Sequence, residues 1–155
     1  MILLETSKQK LVFKVGEGEK SLLTTILQLY PRVTSSRVLS SGPSRPQTPI
    51  QQETQALLED SLQEQRNENK KLVKTFLAKH ERFQKMDAAW KFCLTRTEAD
   101  WLLQILNDIR IGSWIALGSP EAYREVVNEN NAHDFWAMEI AGRFEAILLE
   151  ALSGA

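Results

Sequence analysis

The chemistry open to this sequence is confined to a few short stretches. Gly16-Glu17-Gly18-Glu19-Lys20-Ser21 lies between a strand-like and a helix-like segment, where a phosphate-binding loop would lie. Such a loop needs backbone N–H groups, a lysine and a hydroxyl gathered around the phosphates. Here Glu19 stands where a glycine should precede the lysine, the glycines are too closely spaced, and two glutamates would repel phosphate. The stretch reads as a strand-to-helix turn. His80 and His133 fall on separate segments with no second ligand at metal spacing, so neither a metal nor a cofactor is expected. Cys93, between Phe92 and Leu94, reads as a packed thiol and not as an activated nucleophile. No residue is assigned a catalytic role.

The informative polar group is Asn107-Asp108-Ile109-Arg110, set inside the most apolar segment of the chain. At 100° per residue Arg110 projects among Leu103, Leu106 and Leu117, and Asp108 points roughly the opposite way. The two neighbours therefore cannot simply pair with each other. Each needs a partner elsewhere, because unpaired buried charge is costly. With Trp101 they form a candidate network of Trp101, Asn107, Asp108 and Arg110. It either fixes how helices meet or holds a ligand beside Trp101 or Trp114.

Charge is segregated although the net is only −1. Residues 66–85 carry seven Lys or Arg against two Glu, and residues 121–155 carry seven acidic residues against two Arg. On an expected long helix, Arg66, Lys70, Lys74 and Lys85 form a candidate basic face opposite Leu62, Phe76 and Phe83. No recognised nucleic-acid motif accompanies that face, and it reads first as a solvated surface or one that meets a charged protein. Weak nucleic-acid binding through residues 66–85 is a further alternative.

The elements that must position these groups follow from periodicity. Ile2 and Leu4, then Leu11, Phe13 and Val15, alternate as two strands of a small hairpin. A helix is expected over 19–29, ended by Tyr30-Pro31. Residues 31–50 hold four of the five prolines, five serines and three arginines with no acidic residue, and read as a flexible linker pinned at most by Val38 and Leu39. Thr48-Pro49-Ile50-Gln51 opens a long helix to about Phe83. Residues 63–71 within it hold no apolar side chain, which leaves an exposed span or a kink open. Thr97-Glu98-Ala99-Asp100 opens a helix closed by Gly118 that is apolar nearly all round and expected to be the buried centre. A short helix over 119–128 and an amphipathic one over 131–152 complete the chain.

At 155 residues the chain suits a single domain, 1–155. The fold expected is mainly α: a helical bundle around a central buried helix, about 97–118, with a small N-terminal β-hairpin. One cysteine, an early charge after Met1-Ile2-Leu3-Leu4 and no apolar run near the roughly 20 residues of a membrane span make a cytoplasmic protein without membrane contact the expectation.

Ala99-Asp100-Trp101-Leu102, Leu106-Asn107-Asp108-Ile109-Arg110 and Leu117-Gly118 resemble the signature of an uncharacterised bacterial family, domain-of-unknown-function family twenty-seventeen. Genes of that family often sit beside the adaptor of the Clp protease. The likeness is most specific over 99–118 and looser over 62–77 and 135–152. It implies Trp101, Asn107, Asp108, Arg110 and Gly118 as family-like positions and supplies no reaction. The function expected is that of a non-enzymatic protein-interaction or regulatory domain, linked to regulated proteolysis, whose partner is another protein or a second copy of itself. The alternative is a small ligand-binding protein or enzyme using Asp108 and Arg110.

Overall fold

The chain alternates short strands with helices whose ends are set by local caps. The computed structural model describes residues 1–32 and 48–154. In order they form β1 (Ile2–Thr6), β2 (Lys10–Val15), α1 (Glu17–Leu27), α2 (Pro49–Ala78), β3 (Phe83–Lys85), β4 (Trp90–Thr95), α3 (Arg96–Ala116) and α4 (Ala132–Ser153). The fold is helix-rich α+β, with one antiparallel sheet of order β1-β2-β4-β3. No described helix is long and apolar enough to cross a membrane. Most of the expected linker, including Val38, Leu39, Pro43 and Pro46, lies outside the described residues.

The sheet is larger than the expected two-stranded hairpin because β4 pairs with β2 over its full length. Register places Leu11 opposite Leu94, Phe13 opposite Phe92 and Val15 opposite Trp90, so these residues share the face that meets the helices. All but the half-buried Trp90 are excluded from solvent. Phe83, expected to end the long helix, instead lies in β3 opposite Phe92 and stacks on it with ring centroids 4.6 Å apart. The helix stops at Ala78, and a 3-10 turn at His80–Arg82 leads into β3.

Thr48 caps α2: its hydroxyl accepts from Gln51 N at 3.2 Å, and its own N–H donates to the Gln51 side chain at 2.9 Å. The helix then runs unbroken through the polar span 63–71, whose Glu, Gln and Lys residues are good helix formers. Only Val73 and Phe76 are fully buried along it. The cap of α3 is Thr95, not Thr97: Thr95 and Glu98 exchange bonds at 2.9 and 3.1 Å. Gly118 (φ 89°) then ends the helix, as the left-handed conformation there requires.

Although apolar around most of its circumference, α3 fully buries only one face, with Leu102, Ile105, Leu106 and Ile109 inward and Trp114 38% exposed. It packs most extensively on α4, where Ala137, Ala141 and Ala151 keep the two backbones close. The helix expected over 119–128 is only a 3-10 turn, Tyr123–Glu125.

Phe92 touches the rings of Phe13, Phe76 and Phe83 and is fully buried, so it joins sheet and helices. Phe92→Ala should cost about 3–5 kcal/mol in urea unfolding, whereas Leu57→Ala, at a 65% exposed site, should stay within about 0.5 kcal/mol of wild type.

Candidate functional site

One face of α2 carries Leu62, Arg66, Asn69, Val73 and Phe76 at alternating spacings of four and three, and this face meets α3 and the turn after α1. Asn69 joins all three. Trp101 Nε1 on α3 donates to Asn69 Oδ1 at 3.3 Å, and Asn69 Nδ2 donates to Tyr30 Oη at 3.3 Å. Tyr30 is 6% exposed and precedes a cis bond to Pro31. On one side of Asn69 lies a polar cleft, and on the other an apolar pocket.

The polar cleft, about 360 Å³, runs between α2 and α3 beneath the Tyr30–Arg32 segment. Leu62 and Ile111 supply its apolar wall, and Gln65, Gln104 and Asn107 supply carboxamides. Arg66 and Asp108 line it from different helices, yet neither makes a hydrogen bond or ion pair among the described residues. Desolvation in the cleft raises the pKa of Asp108 above its ordinary 3.8, and the positive field of Arg66 opposes that shift without cancelling it. Burial likewise pushes the Tyr30 phenol up, assisted by Asp108 and opposed by Asn69 and Arg66.

The expected network of Trp101, Asn107, Asp108 and Arg110 is divided among three places. Trp101 serves Asn69, and Asp108 opens into the polar cleft. Arg110 turns toward α4, where Nε donates to Glu145 at 2.9 Å and Nη2 to Asn107 Oδ1 at 2.8 Å. Arg110 therefore finds its partner on another helix, whereas Asp108, exposed at the cleft, makes no hydrogen bond or ion pair among the described residues, and the two side chains do not line one site. Their directions around the helix put them on separate sides. Trp114 donates to the Pro120 carbonyl at 3.0 Å and lines none of this cleft.

The apolar pocket, about 300 Å³, lies between the C-terminal turns of α2 and the start of α3. Phe76 and Trp101 meet there with centroids 5.5 Å apart, and the Arg82 guanidinium lies 4.1 Å from the Phe76 centroid. Arg82 also pairs with Glu98 at 2.6 Å, and that contact and the Thr95 cap hold the Glu98 carboxyl down at about 2, against partial burial that raises it. Lys79 and Leu72 stand at its edge.

The four cations expected to share a basic face do not. Lys70 and Lys74 are exposed on α2, Arg66 turns into the cleft, and Lys85 lies on β3, 3.8 Å from Glu17. The early end of α2 at Ala78 removes Lys85 from that helix and with it the geometric basis for a continuous nucleic-acid face. The glycine stretch is a strand-to-helix turn: the Glu19 side chain accepts from Gly16 N at 2.9 Å, and Lys20 sits 3.4 Å from the Trp90 ring centroid. Cys93 is only half-buried, opposite Val12 on the outer side of the sheet.

Sequence reasoning missed Tyr30, Arg32 and Asn69. Arg32 falls within the expected linker, but its Nε donates to buried Ser113 at 3.2 Å and its guanidinium pairs with buried Asp134. The signal for Asn69 is its place in the four-three spacing with Leu62, Val73 and Phe76. No family model, curated protein or solved structure matches the chain.

A carboxyl with a raised pKa disfavours the folded state above that pKa, and the penalty vanishes below the ordinary value, where both states carry the proton. Asp108→Asn should therefore raise stability at pH 7 by under about 1 kcal/mol, because the cleft is open to solvent. The difference in urea midpoints between variant and wild type should close as the pH falls toward 3.8.

Proposed function

We infer that this protein is a non-enzymatic interaction domain that recruits a protein partner through α2. The observation that carries the reading is a helix of 30 residues with only Val73 and Phe76 fully buried. Ile50, Leu57, Leu58 and Leu72 are at least half exposed along it, which is unusual apolar surface for one element. Near its C-terminal end the Phe76–Trp101 pocket is edged by exposed Lys79, and exposed Lys71 lies one turn before Thr75 of its lining. An acidic segment presenting one bulky apolar side chain is the partner this combination suits: the side chain fills the pocket, and Lys71 and Lys79 meet the acidic flanks. α3 serves as the central helix of this bundle and presents Trp101 to the pocket.

The resemblance of residues 99–118 to domain-of-unknown-function family twenty-seventeen suggests a bacterial, cytoplasmic setting and a component of regulated proteolysis as the class of partner. A second copy of the chain is the alternative occupant, since residues 121–155 are net acidic.

The test is affinity capture from nuclease-treated native lysate at about 150 mM salt, where exposed charges beyond roughly 8 Å are screened. Wild type should retain one stoichiometric protein. The triple variant Lys71→Glu, Leu72→Asp, Lys79→Glu should lose it while keeping the wild-type circular dichroism spectrum. Equal capture by both proteins, or an empty capture by wild type, would contradict the reading.

A further inference from the structure

The polar cleft does not belong to the interaction surface just described, and its chemistry is specific. It sets a carboxylate, Asp108, and a guanidinium, Arg66, on different helices. Opposite charges on facing helices ordinarily close into an ion pair, and these two do not, although each feels the other's field. A third group is unspent. Tyr30 is 6% exposed and accepts from Asn69, but its own hydroxyl proton has no acceptor among the described residues. Asn107 resembles it in reverse: its carbonyl oxygen is taken by Arg110, and its NH₂ remains available. The cleft is thus lined by an anion and a cation, both unpaired among the described residues, and a buried O–H donor that feels both, while Arg32, the other cation of its lining, is already paired with Asp134.

The geometry points to a binding site for a small zwitterion of the α-amino-acid class, with its ammonium on Asp108 and its carboxylate on Arg66 and the Tyr30 hydroxyl. Three features select this ligand. The two charged groups lie beyond ion-pair reach of each other but close enough to interact, a gap that a molecule with its own charges two bonds apart can bridge. A simple anion would leave Asp108 unsatisfied and repelled, and a simple cation would do the same to Arg66. The volume, about 360 Å³, is at the small end of ligand sites. Leu62 and Ile111 give the ligand's side chain an apolar wall.

Trp101 reports on the site, since its indole N–H is bonded to Asn69 in the cleft wall. The experiment titrates the full chain with each of the common free α-amino acids, following tryptophan fluorescence and, in parallel, calorimetry. Any amino acid that binds is then repeated as its N-acetyl and its methyl-ester derivative, each lacking one charge. At least one free amino acid should bind with a Kd of about 1 mM or tighter, and both derivatives should bind at least about tenfold more weakly. Asp108→Asn should weaken binding of the free amino acid and leave the N-acetyl form unaffected, while Arg66→Gln should do the converse with the ester. Both side chains reach into an open cleft, so both variants should keep wild-type circular dichroism. Binding of no amino acid by wild type, equal binding of the blocked forms, or full binding by both folded variants would overturn the proposal.

Discussion

The carboxamide of Asn69 is bonded at both ends, to the Trp101 indole on α3 and to the Tyr30 phenol after α1. A polar residue at an inward position of an otherwise apolar seam fixes register, because any sliding of α2 would strand its donor and acceptor. Tyr30 is buried and Trp101 sits against Phe76, so losing this amide would leave the phenol and the indole N–H short of partners where water reaches them poorly. The polar cleft and the apolar pocket both depend on it, since each is a gap between α2 and α3 on one side of the Asn69 bridge.

The anchoring of α2 is therefore lopsided. A helix of 30 residues spans about 45 Å. Its full burial is concentrated at Val73 and Phe76, near one end. The remainder keeps its helical form through the Thr48 cap and a run of Glu, Gln and Lys, which cost little in a helix. Such an element can be stable and still keep apolar surface in reserve. The body beneath it is conventional by contrast: a sheet face of Leu11, Phe13, Phe92 and Leu94 is covered by helices, and α3 and α4 approach closely across alanines.

Much of that body was legible in the residues. The strand alternation at Leu11, Phe13 and Val15, the Thr48 cap and the Gly118 stop all depend on neighbours within a few positions. β4 was not legible, because Trp90–Thr95 is a strand only by virtue of pairing with β2, some eighty residues earlier. The end of α2 was misplaced for the same reason, since stacking of Phe83 on Phe92 outweighs the helical spacing that Phe83 shares with Phe76. In the candidate site, the opposed directions of Asp108 and Arg110 were deducible from helix geometry, but the groups each would face were not. Arg66 and Glu145 lie on other helices, and only the tertiary structure brings them there. Arg32 was hidden by its setting among prolines and serines, and its bonds to Ser113 and Asp134 are likewise long-range.

Native-state hydrogen exchange along α2 tests the account most directly, because it reads how firmly each turn is held. Amides of residues 69–77 should exchange with the core, alongside those of α3. Amides of residues 53–64 should exchange at least about tenfold faster, equivalent to about 1.4 kcal/mol less opening free energy, with the step falling close to Asn69. Uniform protection along the whole helix would contradict the account, since α2 would then be held along its entire length and not pinned at the Asn69 end.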